Sequence, residues 1–513
     1  MFQVFPMTIW VRIKALSAIT ASALLAGVAG GFLYGQSFTG DSIVSLPGRP
    51  GVYRLIGHVK IEHNGNRIFS DFADYDQKTG SCQAYDNLRI RTSDNIHITG
   101  EVLDYDGASG SYTVERNVVL KDREMTMKTP ALRYEGSRNR AYYSQGGEMT
   151  SGQTVLTSEH GYYDGQAEIF HCFDNVVIVN PQYTIWTDTL HYAQTGLTHF
   201  QGNTNIETSD YYMYGRKGWF HQEENKVSLQ RDAYVKTRTS QVLFGDSIYY
   251  DLGMKNGNVY RDVFLLDTAR NCYIKSDYAE NKESEGYALF TLHPRGVMVD
   301  HGDSLFVVGD TMVMTYDTVR KIKEMLVYHE VRFFKEGIQG KCDSLSYRHR
   351  DSLMELYREP IIWLEEYQID GDTVKVWFTQ NRPEKVLIQE KAFIVSEVSA
   401  SQGYYNQVKG KYLWGYFDDS SRFEMAHVIG AVQSVYYVLD EAARELIGVN
   451  KTESRSLKMY FEDNQVRGIN VIQPSSTTLY PVDRLSRRER ILKGFHWKPE
   501  LWPKSKYDLS TVW

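Results

Sequence analysis

The chain has 513 residues, enough for two to four domains or for one long repetitive one. Acidic residues outnumber basic ones by 64 to 57, and with no basic block in the first 480 residues the chain is a poor candidate for coating nucleic acid. Aromatic residues at 13% with only 12 prolines exclude disorder and point to strands, and four cysteines are too sparse for a disulfide-stapled mini-domain.

Residues 1–35 carry Arg12 and Lys14, then an apolar, small-residue run from Ala15 to Leu33. This is the pattern of a secretory signal ending in small residues near Ala29–Gly35. A single membrane anchor is the alternative, but Gly27, Gly30, Gly31 and Gly35 weaken the run as a stable span. Export to the periplasm is expected, with membrane association left open. Residues 36–50 read as a linker. Cys82, Cys172, Cys272 and Cys342 form no CxxC and no zinc spacing, so they are expected to be isolated strand residues, with no metal and no cofactor.

From residue 51 the chain is one unit written many times. A small residue followed by an acid, with an aromatic four positions after the acid, recurs as Ser70-Asp71 (Tyr75), Gly100-Glu101 (Tyr105), Ser158-Glu159 (Tyr163), Thr187-Asp188 (Tyr192), Gly245-Asp246 (Tyr250) and Cys342-Asp343 (Tyr347). Looser copies are Thr129-Pro130, Gly215-Arg216, Ser276-Asp277, Gly309-Asp310 and Gly371-Asp372. Successive copies recur at a near-constant spacing of about 30 residues, which defines a repeat protein.

A second signal keeps the same frame, at a near-constant distance after the acid, as from Asp71 to Asn87 or from Glu101 to Asn117. It is a polar pair, then an alternating apolar strand. The pairs are Asp86-Asn87, Arg116-Asn117, Asp174-Asn175, Arg231-Asp232, Arg261-Asp262 and His329-Glu330. Each repeat is therefore two short strands joined by polar turns. Three residues before the acid and two after it the chain is apolar, as at Ile98 and Leu103 or Ile185 and Leu190. These positions are an odd number apart and would face opposite ways in a flat strand. Both can face inward only if the small-acid pair marks a corner or bulge. The acids then read as solvated corner residues.

Repeats of the same type continue over 401–480. Glu441–Leu446 reads as a short helical turn, and Pro481 opens a helical stretch through Arg484, Arg487, Arg488 and Arg490 to Lys493, within a basic helical tail over 481–513. That basic run reads as a solvated helix face, or as a contact for lipid phosphates.

A signal followed by tandem small-acid-x3-Tyr and Asp-Asn-Val-x-Ile units resembles the OstA-like (LptA-type) family of lipopolysaccharide-transport proteins, over residues 51–400. The closing Leu492-Lys493-Gly494-Phe495-His496-Trp497-Lys498-Pro499-Glu500-Leu501 resembles the tail of the long OstA-like proteins of Bacteroidetes-type bacteria. The resemblance implies an all-β fold, an elongated open β-jellyroll of tandem two-strand repeats with short helical segments near the C-terminus. It implies a carrier whose apolar inside holds the acyl chains of lipid A between the inner and outer membranes. The groove candidates are the apolar residues after the polar pairs: Leu88, Ile90, Val118, Leu120, Val176, Ile178, Val263, Leu265, Val331 and Phe333. Plain core packing is the alternative for each. Expected partners are lipopolysaccharide and the membrane-anchored transport components, reached by edge-strand pairing, which also allows head-to-tail self-association.

Enzymatic signatures are thin, with no G-x-S-x-G, H-E-x-x-H or G-x-x-x-x-G-K-[ST]. His171, His191 and His199 read as ordinary polar strand residues. The rival readings are a structural envelope scaffold and a polysaccharide-active β-helix using Asp300, His301 and Asp303.

Overall fold

The computed structural model describes residues 37–510 apart from 94, 123–124, 168, 194–195, 239, 300–303, 318–321, 381, 400–401, 441–444 and 464. The leader, the Asp300, His301 and Asp303 group, and most of the Glu441–Leu446 turn lie outside the described residues. Leu446 itself belongs to the strand Glu445–Glu462.

The described elements are antiparallel strands and three 3-10 turns, so the class is all-β, a folded-over sheet of the jellyroll kind. Two compact units divide it, residues 37–238 with 247–253, and residues 240–246 with 254–510. In the first, strands follow one another as a meander: Asn66–Asp76 pairs with Val52–His63 on one side and Cys82–Arg91 on the other. Some strands are broken at mid-length. Met125–Glu135 is met by Arg140–Tyr143 along one half and by Gly147–Ser151 along the other. The second unit repeats the device where Ile338–Arg348 is met by Leu353–Tyr357 and Ile361–Leu364.

The fold in the sheet comes from the two sequence signals meeting. Tyr85 lies opposite Val102 and Leu88 opposite Gly100, so the pair Asp86-Asn87 faces the single residue Glu101. This is a β-bulge, and both pair residues are in the left-handed region, with φ of 59° and 52°. All six polar pairs read from the sequence adopt it. Asn and Asp tolerate that conformation because a short polar side chain can bond locally. Here the bond is to a corner acid: Asn87 donates to Asp71 at 2.5 Å, Asn117 to Glu101 at 2.8 Å and Asn175 to Glu159 at 2.5 Å. Elsewhere a cation takes the place of the amide, as Arg261 does at Asp246 and Lys391 at Asp372. The constant spacing of acid and pair is thus a contact distance written into the sequence.

The bulge inverts the inside-outside alternation, as the apolar positions require. Ile98 and Leu103 are 2% and 0% exposed although both flank the same corner, while Phe72, in the step beside Asp71, is 43% exposed. Both halves of the strand His97–Asp106 therefore present their apolar side chains to the same interior. The cysteines are free and three are buried; burial pushes the Cys82 thiol up to about 12, which makes it an inert core residue.

The basic tail takes a different form from the helix read over it. From Pro481 it makes a 3-10 turn at Val482–Arg484, then turns and extended chain, with further 3-10 turns at Pro499–Leu501 and Asp508–Ser510. The second unit holds this segment by side chains in place of helical hydrogen bonds, as described below.

Candidate lipid-facing interior

All ten groove candidates lie on the inner face. In the first unit Leu88, Ile90, Val118, Val176 and Ile178 are buried, and Leu120 is half-buried against the cluster that holds Leu88, Ile90 and Val118. In the second unit Val263, Leu265, Val331 and Phe333 are buried. Aromatics of the same frame join them: Tyr75, Tyr105, Tyr163, Phe220, Tyr250 and Tyr347 are buried and Tyr192 is half-buried.

Several buried tyrosines of this face have their polar tips satisfied, which keeps the face apolar in effect. Tyr105 Oη lies 2.6 Å from His63 Nδ1, Tyr143 Oη 2.5 Å from Ser158 Oγ, and Tyr211 Oη 2.9 Å from Tyr250 Oη. Burial pushes the Tyr105 phenol up to about 12, so it stays neutral. No charge is presented by these groups to the apolar interior.

One gap in the packing lies in the middle of the first unit. There Met125, Leu156, Phe170, Ile178, Ile185 and Phe220 border a cavity of about 60 Å³. It lies against the broken strands Gly147–Ser151 and Thr154–Ser158. Of the ten candidates Ile178 alone lines it. A site for a small organic ligand usually offers at least roughly 300 Å³. This cavity is therefore too small, in this conformation, to hold an acyl chain.

Sequence reading missed a second arrangement, on the outer face of the second unit. Gln339 and Gln368 stand four residues before Asp343 and Asp372, Gln407 and Lys451 four before the second residues of two further corners, Gly410-Lys411 and Ser454-Arg455, and together they hold the C-terminal segment. Gln407 donates to the Arg490 carbonyl and accepts from Leu492 N–H, at 2.9 and 2.8 Å. Gln368 does the same with His496 and Lys498, at 3.0 and 2.8 Å. Gln339 accepts from Trp502 Nε1 at 3.0 Å, and Lys451 donates to the Glu489 carbonyl at 2.8 Å. Gln368 and Gln407 thus each act as a short piece of strand edge, while Gln339 holds a side chain. Their shared frame position was the available signal, but earlier copies hold Arg67, His97 and Thr126 there.

His496 locks this segment by charge. Its Nδ1 lies 3.0 Å from the Gly494 carbonyl and its Nε2 3.2 Å from Asp370 Oδ2, so both nitrogens face acceptors and the imidazolium is favoured. The hydrogen bond to Asp370, against the opposing effect of burial, raises the imidazole above its ordinary 6.5. A raised pKa contributes stability that is fully present below the unfolded value and lost as pH rises through the folded one. Protease cleavage after Arg490 and Lys493 is therefore expected to quicken as pH rises above 6.5 through the folded value, and to lose that pH dependence in His496→Phe. Equal cleavage rates across that range in the unmodified chain would refute the lock.

Fold and interior together define a folded-over antiparallel sheet with an apolar inner face. Residues 46–188, within the first unit, match the family described as OstA-like protein. That stretch is OstA-like, consistent with the LptA type read from the repeats. No curated protein matches the chain. An OstA-like segment points to a transport-type function of the lipopolysaccharide class.

Proposed function

We propose that the chain is a periplasmic carrier, of the long OstA-like form, that shields the acyl chains of lipid A on the way from the inner to the outer membrane. The observation that carries this is the inner face of the first unit, apolar along successive repeats and interrupted by the cavity beside Ile178. Each methylene moved from water into such a face contributes about 0.8 kcal/mol. No bond to any single residue is needed, and near-equal burial from repeat to repeat suits a cargo that moves along. The terminal strand Gln465–Tyr480 supports the proposed partners: among the described residues it pairs only with Glu445–Glu462, which leaves its other edge open to a strand of a transport component or of a second copy. Catalysis has no part in this reading.

The small size of that cavity favours a second reading, a structural scaffold of the envelope whose jellyroll never opens. One experiment separates the two. A photo-crosslinking side chain at Leu156 or Ile178, in protein expressed in a lipopolysaccharide-producing cell, is expected to capture lipopolysaccharide, and Ile178→Trp with the probe at Leu156 is expected to reduce capture severalfold by filling the cavity. Absence of lipid from both crosslinks and solvent extracts of the folded protein would leave the scaffold.

A further inference from the structure

The outer face of the first unit carries one row of rings across successive strands. Tyr142, Tyr162, His171, His191, His199 and Trp219 stand opposite one another in unbroken register. The three histidines lie on three successive strands, and only strand pairing brings them side by side. His171 stacks on Tyr162, with centroids 4.4 Å apart and planes at 12°, which fixes its ring. His171 Nδ1 and His191 Nδ1 face each other at 2.8 Å. His199 comes next in the row and is exposed.

The geometry points to a binding site for a divalent transition-metal ion, of the zinc, copper or nickel class, held between His171 Nδ1 and His191 Nδ1. At so short a separation one nitrogen is a donor and the other an acceptor, so the pair shares one proton. Imidazole nitrogens bind such ions at about 2.0–2.1 Å, which sets two ligand nitrogens of a tetrahedral site about 3.3 Å apart. A rotation that opens the pair by about half an ångström reaches that span. As the ion enters, the shared proton passes through solvent to the Nε2 of its own ring, so both Nδ1 lone pairs are freed and no net proton is released. The groups around the pair are Asp164, Arg140 and His199, with Tyr162 beneath His171. Burial first, then the neighbouring imidazole, keeps both rings below the ordinary imidazole range and so available as neutral ligands near pH 7. Among the described residues no three His, Cys, Asp or Glu converge on one point, so the site has two protein ligands and water completes the shell.

The test is a titration of the full chain, purified without a histidine tag, with zinc chloride by calorimetry, and with copper(II) by electron paramagnetic resonance. One equivalent is expected to bind with two nitrogen ligands in the copper spectrum. His191→Gln and His171→Phe are each expected to weaken binding about tenfold or more, since each removes one arm of a bivalent grip. His171→Phe keeps a ring stacked on Tyr162, so it separates lost ligation from lost folding. His199→Ala is expected to bind within about twofold of the unmodified chain if the other two carry the ion. Binding unchanged in both His171→Phe and His191→Gln, or no saturable equivalent at all, would overturn the site.

Discussion

Trp363→Ala is expected to destabilise the second unit by about 3–5 kcal/mol and to free the C-terminal segment. Trp363 is fully buried on the short strand Ile361–Leu364, all four of whose residues are buried, so this part of the sheet is covered on both faces. Its ring stacks on Trp502 at 6.2 Å with planes at 6°, and Trp502 in turn donates to Gln339. Truncation removes the largest buried side chain of the unit and the platform for the segment together. Trp363→Phe is the informative companion. The Nε1 of Trp363 is buried without a hydrogen-bond partner, a penalty that phenylalanine does not carry, so this change is expected to cost far less. Denaturant unfolding gives the first quantity, and limited proteolysis near Arg490 the second. If Ala and Phe proved equally mild, Trp363 would not be the keystone described.

The second large effect concerns a buried charge. Glu355 is nearly inaccessible on the outer face of its strand, between Arg348 Nη1 and Lys375 Nζ, each 2.9 Å from one carboxylate oxygen. Burial favours the neutral acid, but the hydrogen bond and charge of Lys375, with the charge of Arg348, outweigh it and hold the carboxyl below its ordinary range. Lys375→Met is expected to cost about 1–3 kcal/mol, because it leaves a desolvated carboxylate oxygen without its donor and Arg348 as the cation that still pairs with the group. Adding Glu355→Leu is expected to restore much of that loss, since an apolar pair carries no such penalty. A double variant as unstable as the single one would refute this account. A depressed carboxylate contributes stability present above its unfolded value and lost as pH falls through the folded one, so the unmodified chain weakens in acid below about pH 4.5, and the double variant weakens less.

The corners were legible because each writes two marks in the sequence at a fixed distance, and a fixed distance survives without any structure. From Asp71 and Asn87 alone one could infer that something joined them; the inverted alternation at Ile98 and Leu103 required a bulge. The histidine row was not legible. His171 and His191 sit on strands of different kind within the repeat, and neither carries the mark of the other's frame. Only the register that the corners impose sets them side by side. The tail failed for another reason. Its basic residues suit a helix, but Gln368 and Gln407 offer the backbone a second set of hydrogen-bond partners, and tertiary capture outweighs a weak local preference.

The alternation of corner types also restricts how such a chain changes in length. The strand bearing the left-handed pair Asp86-Asn87 lies between two strands whose corners, at Asp71 and Glu101, are each one residue shorter. Removing one strand would set two pair-bearing strands against each other, with surplus residues on both sides of one corner and no acid to receive either asparagine. Removing two restores every contact. Insertions and losses are therefore tolerated in doublets of about 30 residues, and the molecule is a ruler whose smallest graduation is a hairpin.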